Sequence, residues 1–280
     1  MNATRRILLI QGLAGLGSTL WHALESQPYE LELAVSAADA LRRARQRAFD
    51  VVLTSPSSAV AEDTALVREL RRVQPGLKTV VLAPEGTAED AVAALRSHAF
   101  AYFRAPFEPA EVITMVERAV AVSDWRDGID VVSASPDWIS LRVAPRRLTV
   151  ERLIVFIDGF LSDQPDTQRE ALMLAFREIL LNAIEHGAGF DSDKVIEVSA
   201  IRTARAMVFH FRDPGSGFSL DDLPHAAVSN PTDQPIAHLE HREAMGMRPG
   251  GFGILMAQQL VDEVIYKGMG NEVILIKHLS

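Results

Sequence analysis

"RRILLI", "DVVLT" and "KTVVLA" are short β-rich runs, each followed by a turn and a helix-patterned segment such as "LVRELRRVQP" or "AEDAVAALRSHA". Parallel strands cannot be joined by tight turns and need a crossover, usually a helix. This rhythm over about 120 residues, ending with "YFRAPF" and a last helix "PAEVITMVERAV", therefore predicts a doubly wound, open parallel sheet. The apolar residues of that last helix recur at i, i+3 and i+4, which suits packing on the sheet or a dimer contact; packing is the expectation. Ligands of such sheets sit at the carboxyl ends of strands. The first such end reads "GLAGLG", Gly12 to Gly17, spaced Gly-x-x-Gly-x-Gly. Dinucleotide binding needs Gly-x-Gly-x-x-Gly, so no cofactor site is expected there.

The segments "ILLIQG", "FDVVLTSP", "TVVLAPEGTAEDAV" and "AFAYFRAPFEPAEV" resemble those of response-regulator receiver domains, over residues 5 to about 121. In that family an acidic pair holds Mg²⁺, an aspartate accepts the phosphoryl group, a hydroxyl residue switches, and a lysine pairs with the phosphate. Aligning the strands puts Gln11 and Gly12 at the acidic pair, Ser55 at the acceptor, Ala83 at the switch and Ala105 at the lysine. A serine hydroxyl does not form the acyl phosphate that drives a receiver, and Mg²⁺ lacks its carboxylates. The resemblance thus implies a pseudo-receiver. Ser55 stands as a turn residue beside Pro56, or as a target for another kinase.

The 280 residues suit two domains, and 48% hydrophobic with 23% charged residues is an ordinary globular composition. No run approaches the roughly 18 apolar residues of a membrane span, and "MNATRRILLI" reads as a strand with no cleavage site after it, so no membrane contact is expected. The absence of cysteine excludes disulfides and thiolate chemistry and fits a cytoplasmic protein. Net charge is −9, split about −1 before residue 122 and about −8 after it. That balance disfavours nucleic acid, whose binding rests on Lys and Arg, and suits a partner with a basic face.

Gly, Pro, Ser and Asp crowd residues 121 to 138, "AVSDWRDGIDVVSASPDW", which places the domain boundary near residue 125: residues 1–124 form the first domain and 125–280 the second. After it come a strand "WISLRVA", a helix "TVERLIVFIDGFL", a second helix containing "EILLNAIEHG", two strands "KVIEVSAIRT" and "AMVFHFRDPGSGF", a helix "GILMAQQLVDEV", and closing strands "EVIYKG" and "NEVILIKHL". Strands that neighbour one another without crossover helices imply an antiparallel sheet with helices on one face, an α/β sandwich. In "EILLNAIEHG", Glu178, Asn182, Glu185 and His186 stand at i, i+4, i+7 and i+8, one stripe of an ideal helix. Asp213 sits at a strand exit before Gly215 and Gly217, and "RPGGFG" places glycines before a helix whose free N–H groups suit phosphate.

In this order and spacing the three motifs resemble the N box and two glycine boxes of the Bergerat-fold ATPases, the histidine kinase-like ATPases. The flanks "PDWISLRV", "FREILLNAIEHG", "FRDPGSGF" and "GGFGILMAQQLVDEVIY" are most similar to the RsbW-type serine/threonine kinases, anti-sigma factors of partner switching, over residues 130 to 280. The resemblance implies ATP and Mg²⁺ as cofactors. It implies Glu178 as general base, Asn182 as the metal-holding amide, Asp213 with Gly215 and Gly217 around adenine, and Gly251 and Gly253 at the phosphates. It implies a small anti-anti-sigma (STAS) antagonist as substrate and a sigma factor or analogous regulator as second partner, and a homodimer is compatible with it. His186 either reaches phosphate or caps its helix. The polar stretch from Ser219 to Arg248 has the length of a lid, in which Arg242 and Arg248 either close on the γ-phosphate or remain solvated.

Two other functions compete. A sensor histidine kinase needs an upstream phosphoacceptor histidine, and none lies between His98 and His186. A non-catalytic, ATP-gated binding module would fit the lost receiver chemistry but leaves the carboxylate of Glu178 without a purpose.

Overall fold

Five parallel strands in the order β2-β1-β3-β4-β5 form the first sheet. They are β1 (Arg5–Ile10), β2 (Tyr29–Ala34), β3 (Val51–Leu53), β4 (Lys78–Ala83) and β5 (Ala101–Arg104). Between and after them run α1 (Leu16–Glu25), α2 (Ala37–Gln46), α3 (Val60–Val73), α4 (Ala88–Arg96) and α5 (Pro109–Ala121). This computed structural model describes residues 4–10, 16–54, 58–122, 125–217 and 252–279. The chain divides into two compact units, Met1–Asp127 with Val155–Asp163, and Gly128–Ile154 with Gln164–Ser280.

The first unit has the doubly wound order of receiver domains, with its switch point between β1 and β3. Strands covered by helices on both faces read as continuous apolar runs, and β3 and β4 are buried along their whole length. Even Lys78 at the start of β4 is buried, with Nζ donating to the Val122 carbonyl. The edge strand β2 is guarded by charge: Glu30 pairs with Arg6 at 2.8 Å and Glu32 with Arg43 at 3.1 Å. In α5, Val112, Met115, Val116 and Ala119 are buried, so this apolar stripe packs into the core.

At the carboxyl end of this sheet, Ala83 closes β4 and Ala105 follows β5, and the Ala105 N–H donates to the Ala83 carbonyl at 2.9 Å. Two methyl groups thus stand at the switch and lysine positions; Gln11, Gly12 and Ser55 lie outside the described residues. Next to them, buried Thr54 accepts the Leu82 N–H at 3.0 Å, and buried Asp63 of α3 accepts the Ser58 hydroxyl at 2.7 Å. Burial pushes the Asp63 carboxyl up to about 6, against the hydrogen bonds of Ser58 and Thr54.

In the second unit six antiparallel strands run in the order β10-β11-β9-β8-β7-β6. They are β6 (Ile129–Ser135), β7 (Trp138–Val143), β8 (Ile196–Arg202), β9 (Ala206–Arg212), β10 (Glu263–Lys267) and β11 (Glu272–His278). Among the described residues its helices are α7 (Asp166–Asn182), α8 (Gly253–Leu260) and the first part of α6 (Arg147–Phe160), whose residues from Val155 on belong to the first unit. β6 lies inside the stretch that composition marks as linker: it pairs with β7 as a hairpin with a register shift between Val131 and Ser133. Trp125 packs on Phe100 with ring centroids 4.8 Å apart, and Asp127 meets His98 Nδ1 at 2.6 Å, both within the first unit. α7 covers one face of the second sheet. Its Phe176 ring sits 5.0 Å from Phe209 and 5.1 Å from Phe211, both buried on β9. The result is the α/β sandwich with helices on one face.

Candidate nucleotide site

α7 is positioned by Leu172, Ala175, Phe176, Ile179 and Leu180, all buried and spaced at i, i+3, i+4, i+7 and i+8. That burial leaves Glu178 and Asn182, one turn apart and half-buried, along its flank. α8 begins against them. A Cβ on Gly253 would lie 2.8 Å from Glu178 Oε2 and 3.7 Å from Asn182 Nδ2, so a larger residue at the start of α8 would have to push the Glu178 carboxylate aside. The other oxygen of Glu178 stands 3.5 Å from Arg177 Nη1.

After Asn182 the helix widens into a π-turn, Ala183–Ala188, whose Ile184 carbonyl accepts from the N–H groups of Gly189 and Phe190. Gly189 (φ 64°) and Phe190 (φ 57°) both take the left-handed conformation that ends it. The Arg147 guanidinium braces this segment, 5.4 Å over the Phe190 ring and 3.8 Å from Glu185. The single stripe expected of Glu178, Asn182, Glu185 and His186 is thereby corrected. It assumed 3.6 residues per turn throughout, and the π-turn leaves Glu185 and His186 exposed, with Glu185 facing Arg147. Gly189 is its C-cap residue, and His186 is the basic residue of its last turn.

What the π-turn brings inward is Gly187. A Cβ there would stand 2.2 Å from both Cγ and Oδ1 of Asp213. Asp213 leaves β9 with its N–H donating to the Asn271 carbonyl at 3.0 Å, and its Oδ1 accepts the Gly215 N–H at 2.8 Å. Gly215 in turn is pressed on Gly187, whose Cα and carbonyl oxygen would both be 2.9 Å from an added Cβ. Gly217, at φ 77°, approaches the β10–β11 turn so closely that a Cβ would meet the Met269 oxygen at 2.0 Å. Asn271 Nδ2 donates to the carbonyls of Asp213 at 3.2 Å and Gly215 at 3.5 Å. Burial raises the Asp213 carboxyl above the usual carboxylate range, opposed by the Gly215 N–H and the charge of Lys194.

Of the residues chosen from the sequence, Glu178, Asn182 and Gly253 are therefore adjacent, and Asp213 and Gly215 form a second group packed on Gly187 of the π-turn, with Gly217 against the β10–β11 turn. Gly251, Arg242 and Arg248 lie outside the described residues. Gly187 and Asn271 were not singled out beforehand. The glycine that closes "NAIEHG" and the Asn of "KGMGNE" were the available signals.

The geometry fits an adenine nucleotide. A half-buried carboxylate backed by glycines offers an acceptor to an exocyclic amine and a flat wall to a ring, while the Gly253 end of α8 offers N–H groups to phosphate. Among the described residues no group of three or more His, Asp or Glu side chains could hold a metal ion. A divalent cation here would take few protein oxygens and share those of a phosphate, the habit of Mg²⁺.

Residues 146–277 match the family model described as the histidine kinase-like ATPase domain. The chain is also similar to transcriptional regulatory protein GlrR of Escherichia coli (strain K12), 27% identical over 159 residues, 55% of this chain and 35% of that protein. With transcriptional regulatory protein PrrA of Mycobacterium leprae (strain TN) it is 25% identical over 170 residues, 61% of this chain and 69% of that one. This chain thus spans about a third of the length of GlrR. The non-phosphorylated HemR receiver domain from Leptospira biflexa is 25% identical, covering 44% of this chain and 99% of that one at a TM-score of 0.39. A doubly wound parallel unit is thus followed by a unit that matches the histidine kinase-like ATPase domain over residues 146–277. Among the described residues no helix is long and apolar enough to cross a membrane.

Proposed function

We propose that this chain is a cytoplasmic, ATP-dependent serine/threonine protein kinase of the RsbW-like, partner-switching type. In this reading it phosphorylates a small STAS-type antagonist and sequesters a sigma factor or analogous regulator, and its receiver fold regulates without being phosphorylated. The observation that carries it is the placement of Glu178 Oε2 beside Gly253 at the start of α8, with Asn182 one turn further along α7.

Bound MgATP supplies the γ-phosphoryl group and the metal charge that neutralises it. Asp213 accepts the adenine amino group, and Gly187, Gly215 and Gly217 let the ring approach the backbone. The Asn182 amide oxygen would hold the cation, and the N–H groups at the start of α8, with the role the resemblance gives Gly251 and Gly253, would receive phosphate oxygens. The Glu178 carboxylate accepts the proton of the attacking serine hydroxyl, a role that only a group at the phosphate end of the site can fill.

The paired methyl groups of Ala83 and Ala105 support a second reading, a non-catalytic module whose partner choice is gated by ATP. Calorimetry of the chain with ATP, with and without Mg²⁺ and beside Asp213→Asn, tests the nucleotide site shared by both. Transfer of label from γ-labelled ATP to a STAS-type protein, compared with Glu178→Gln, separates them. Transfer lost in the variant with binding retained supports the kinase; unaltered transfer removes Glu178 as base, and none from either chain leaves the gated module.

A further inference from the structure

Phe190 holds a backbone conformation that its side chain does not favour. It is an aromatic residue at φ 57°, directly after Gly189 at φ 64°, and two left-handed residues in succession are rare outside glycine. Burial does not hold it there, since the residue is 42% exposed. What meets its ring is Arg147, whose Cζ lies 5.4 Å from the ring centroid. The same guanidinium stands 3.8 Å from Glu185, in the first turn of the π-segment. One side chain thus reaches both the start of that segment and the residue just past its end.

Arg147 is badly placed for its own helix. It is the first residue of α6, and no acidic residue stands in that first turn. The macrodipole opposes a cation at a helix N-terminus and favours one beside a C-terminus. Arg147 therefore sits at the unfavourable end of α6 and at the favourable end of the helix that α7 and the π-turn make together. Its charge serves the π-turn.

That turn is what brings Gly187 against Asp213, and Gly215 packs on Gly187 in turn. Were it to relax to α spacing, Gly187 would move away, and the Asp213 carboxyl would keep only the Gly215 N–H on its Oδ1. We propose that Arg147 and Phe190 are positioning residues that set base specificity: their stack holds the π-turn, the π-turn holds Gly187, and Gly187 fixes the Asp213 carboxylate. The inference rests on the nucleotide reading of the site given above and adds what makes that site select its base. A carboxylate held in one place accepts an exocyclic amine and repels a carbonyl oxygen put there instead. A carboxylate free to swing can turn to the ring N–H that a keto purine carries, and the discrimination is lost.

The test compares ATP with inosine triphosphate, in which a carbonyl replaces the amine. Calorimetry of the full chain with each, in the presence of Mg²⁺, should show ATP preferred at least ~10-fold. Arg147→Gln and Phe190→Leu should each lower that preference ~3-fold or more, the worth of an exposed cation–π pair, mainly by weakening ATP. The double variant should lose no more than the larger single loss, because both remove one stack. Phe190→Tyr, which keeps the ring, should retain the native ratio. A preference that survives in both single variants overturns the inference, and so do variants that weaken both nucleotides equally, the mark of a merely structural role. Should circular dichroism show Arg147→Gln to be unfolded, Arg147→Lys takes its place: it keeps the charge but not the planar stack, and the same loss of preference is expected. A native chain that binds neither nucleotide overturns the nucleotide reading and this inference with it, whereas an ATP preference untouched by the variants overturns this inference alone.

Discussion

Gly187 and Asp213 are in contact through the absence of a side chain: the nearest carboxylate atoms lie 2.2 Å from where a Cβ would be. Gly187→Ala therefore has to displace Asp213, and we predict ATP affinity reduced at least ~10-fold, about 1.4 kcal/mol, with a folding cost of about 1–3 kcal/mol. Calorimetry beside a thermal melt checks this. Gly76→Ala, where nothing lies within 4 Å of the added Cβ, serves as the silent control.

Asn271 holds the aspartate turn from behind, donating to the carbonyls of Asp213 and Gly215. Asn271→Ala removes both bonds without touching the ligand side of the turn. The expected result is a loss of about 1 kcal/mol in stability together with a several-fold weaker ATP affinity, read by urea titration and calorimetry. An unchanged affinity would mean that the turn holds its shape without this side chain.

The buried Asp63 carboxyl makes stability depend on pH. Its folded value, about 6, lies above its ordinary 3.8, so between those values the folded chain binds more protons than the unfolded one. Its contribution is fully present below pH 3.8 and is lost as pH rises through about 6. Relative to Asp63→Asn, the native chain should lose stability across this window by up to about 3 kcal/mol. Urea melts of both chains from pH 4 to 8 check the slope, and parallel curves would refute it.

Phe176 fastens α7 to the sheet through Phe209 and Phe211. Phe176→Ala should cost about 3–5 kcal/mol, and it should weaken nucleotide binding as well, because Glu178 and Asn182 ride on the same helix. Denaturant titration in the presence and absence of ATP reads both effects.

The strand and helix rhythm of the first unit was legible because buried parallel strands must be continuous apolar runs, as in "KTVVLA". β6 was not: "IDVVSAS" lies at a sheet edge with much of its surface exposed, and its serines and aspartate give it the composition of a linker. Glu178 with Asn182, and Asp213 with its glycines, were visible as motifs because each is local in sequence. Gly187 and Asn271 act on Asp213 from 26 residues before it and 58 after it, and no local pattern announces such a contact. The stripe failed for a different reason. Helical spacing was extended through Ala183, where the hydrogen bonds change from α to π.

That change has a genetic consequence. A π-turn closes its hydrogen bond over one residue more than an α-turn, so it is equivalent to a helix carrying a single insertion. Deleting one residue between Ala183 and His186 should restore α spacing, swing the glycine now at Gly187 about 100° around the axis, and leave Glu178 and Asn182 where they are. One codon would then uncouple the Asp213 half of the site from the half that carries Glu178 and Asn182.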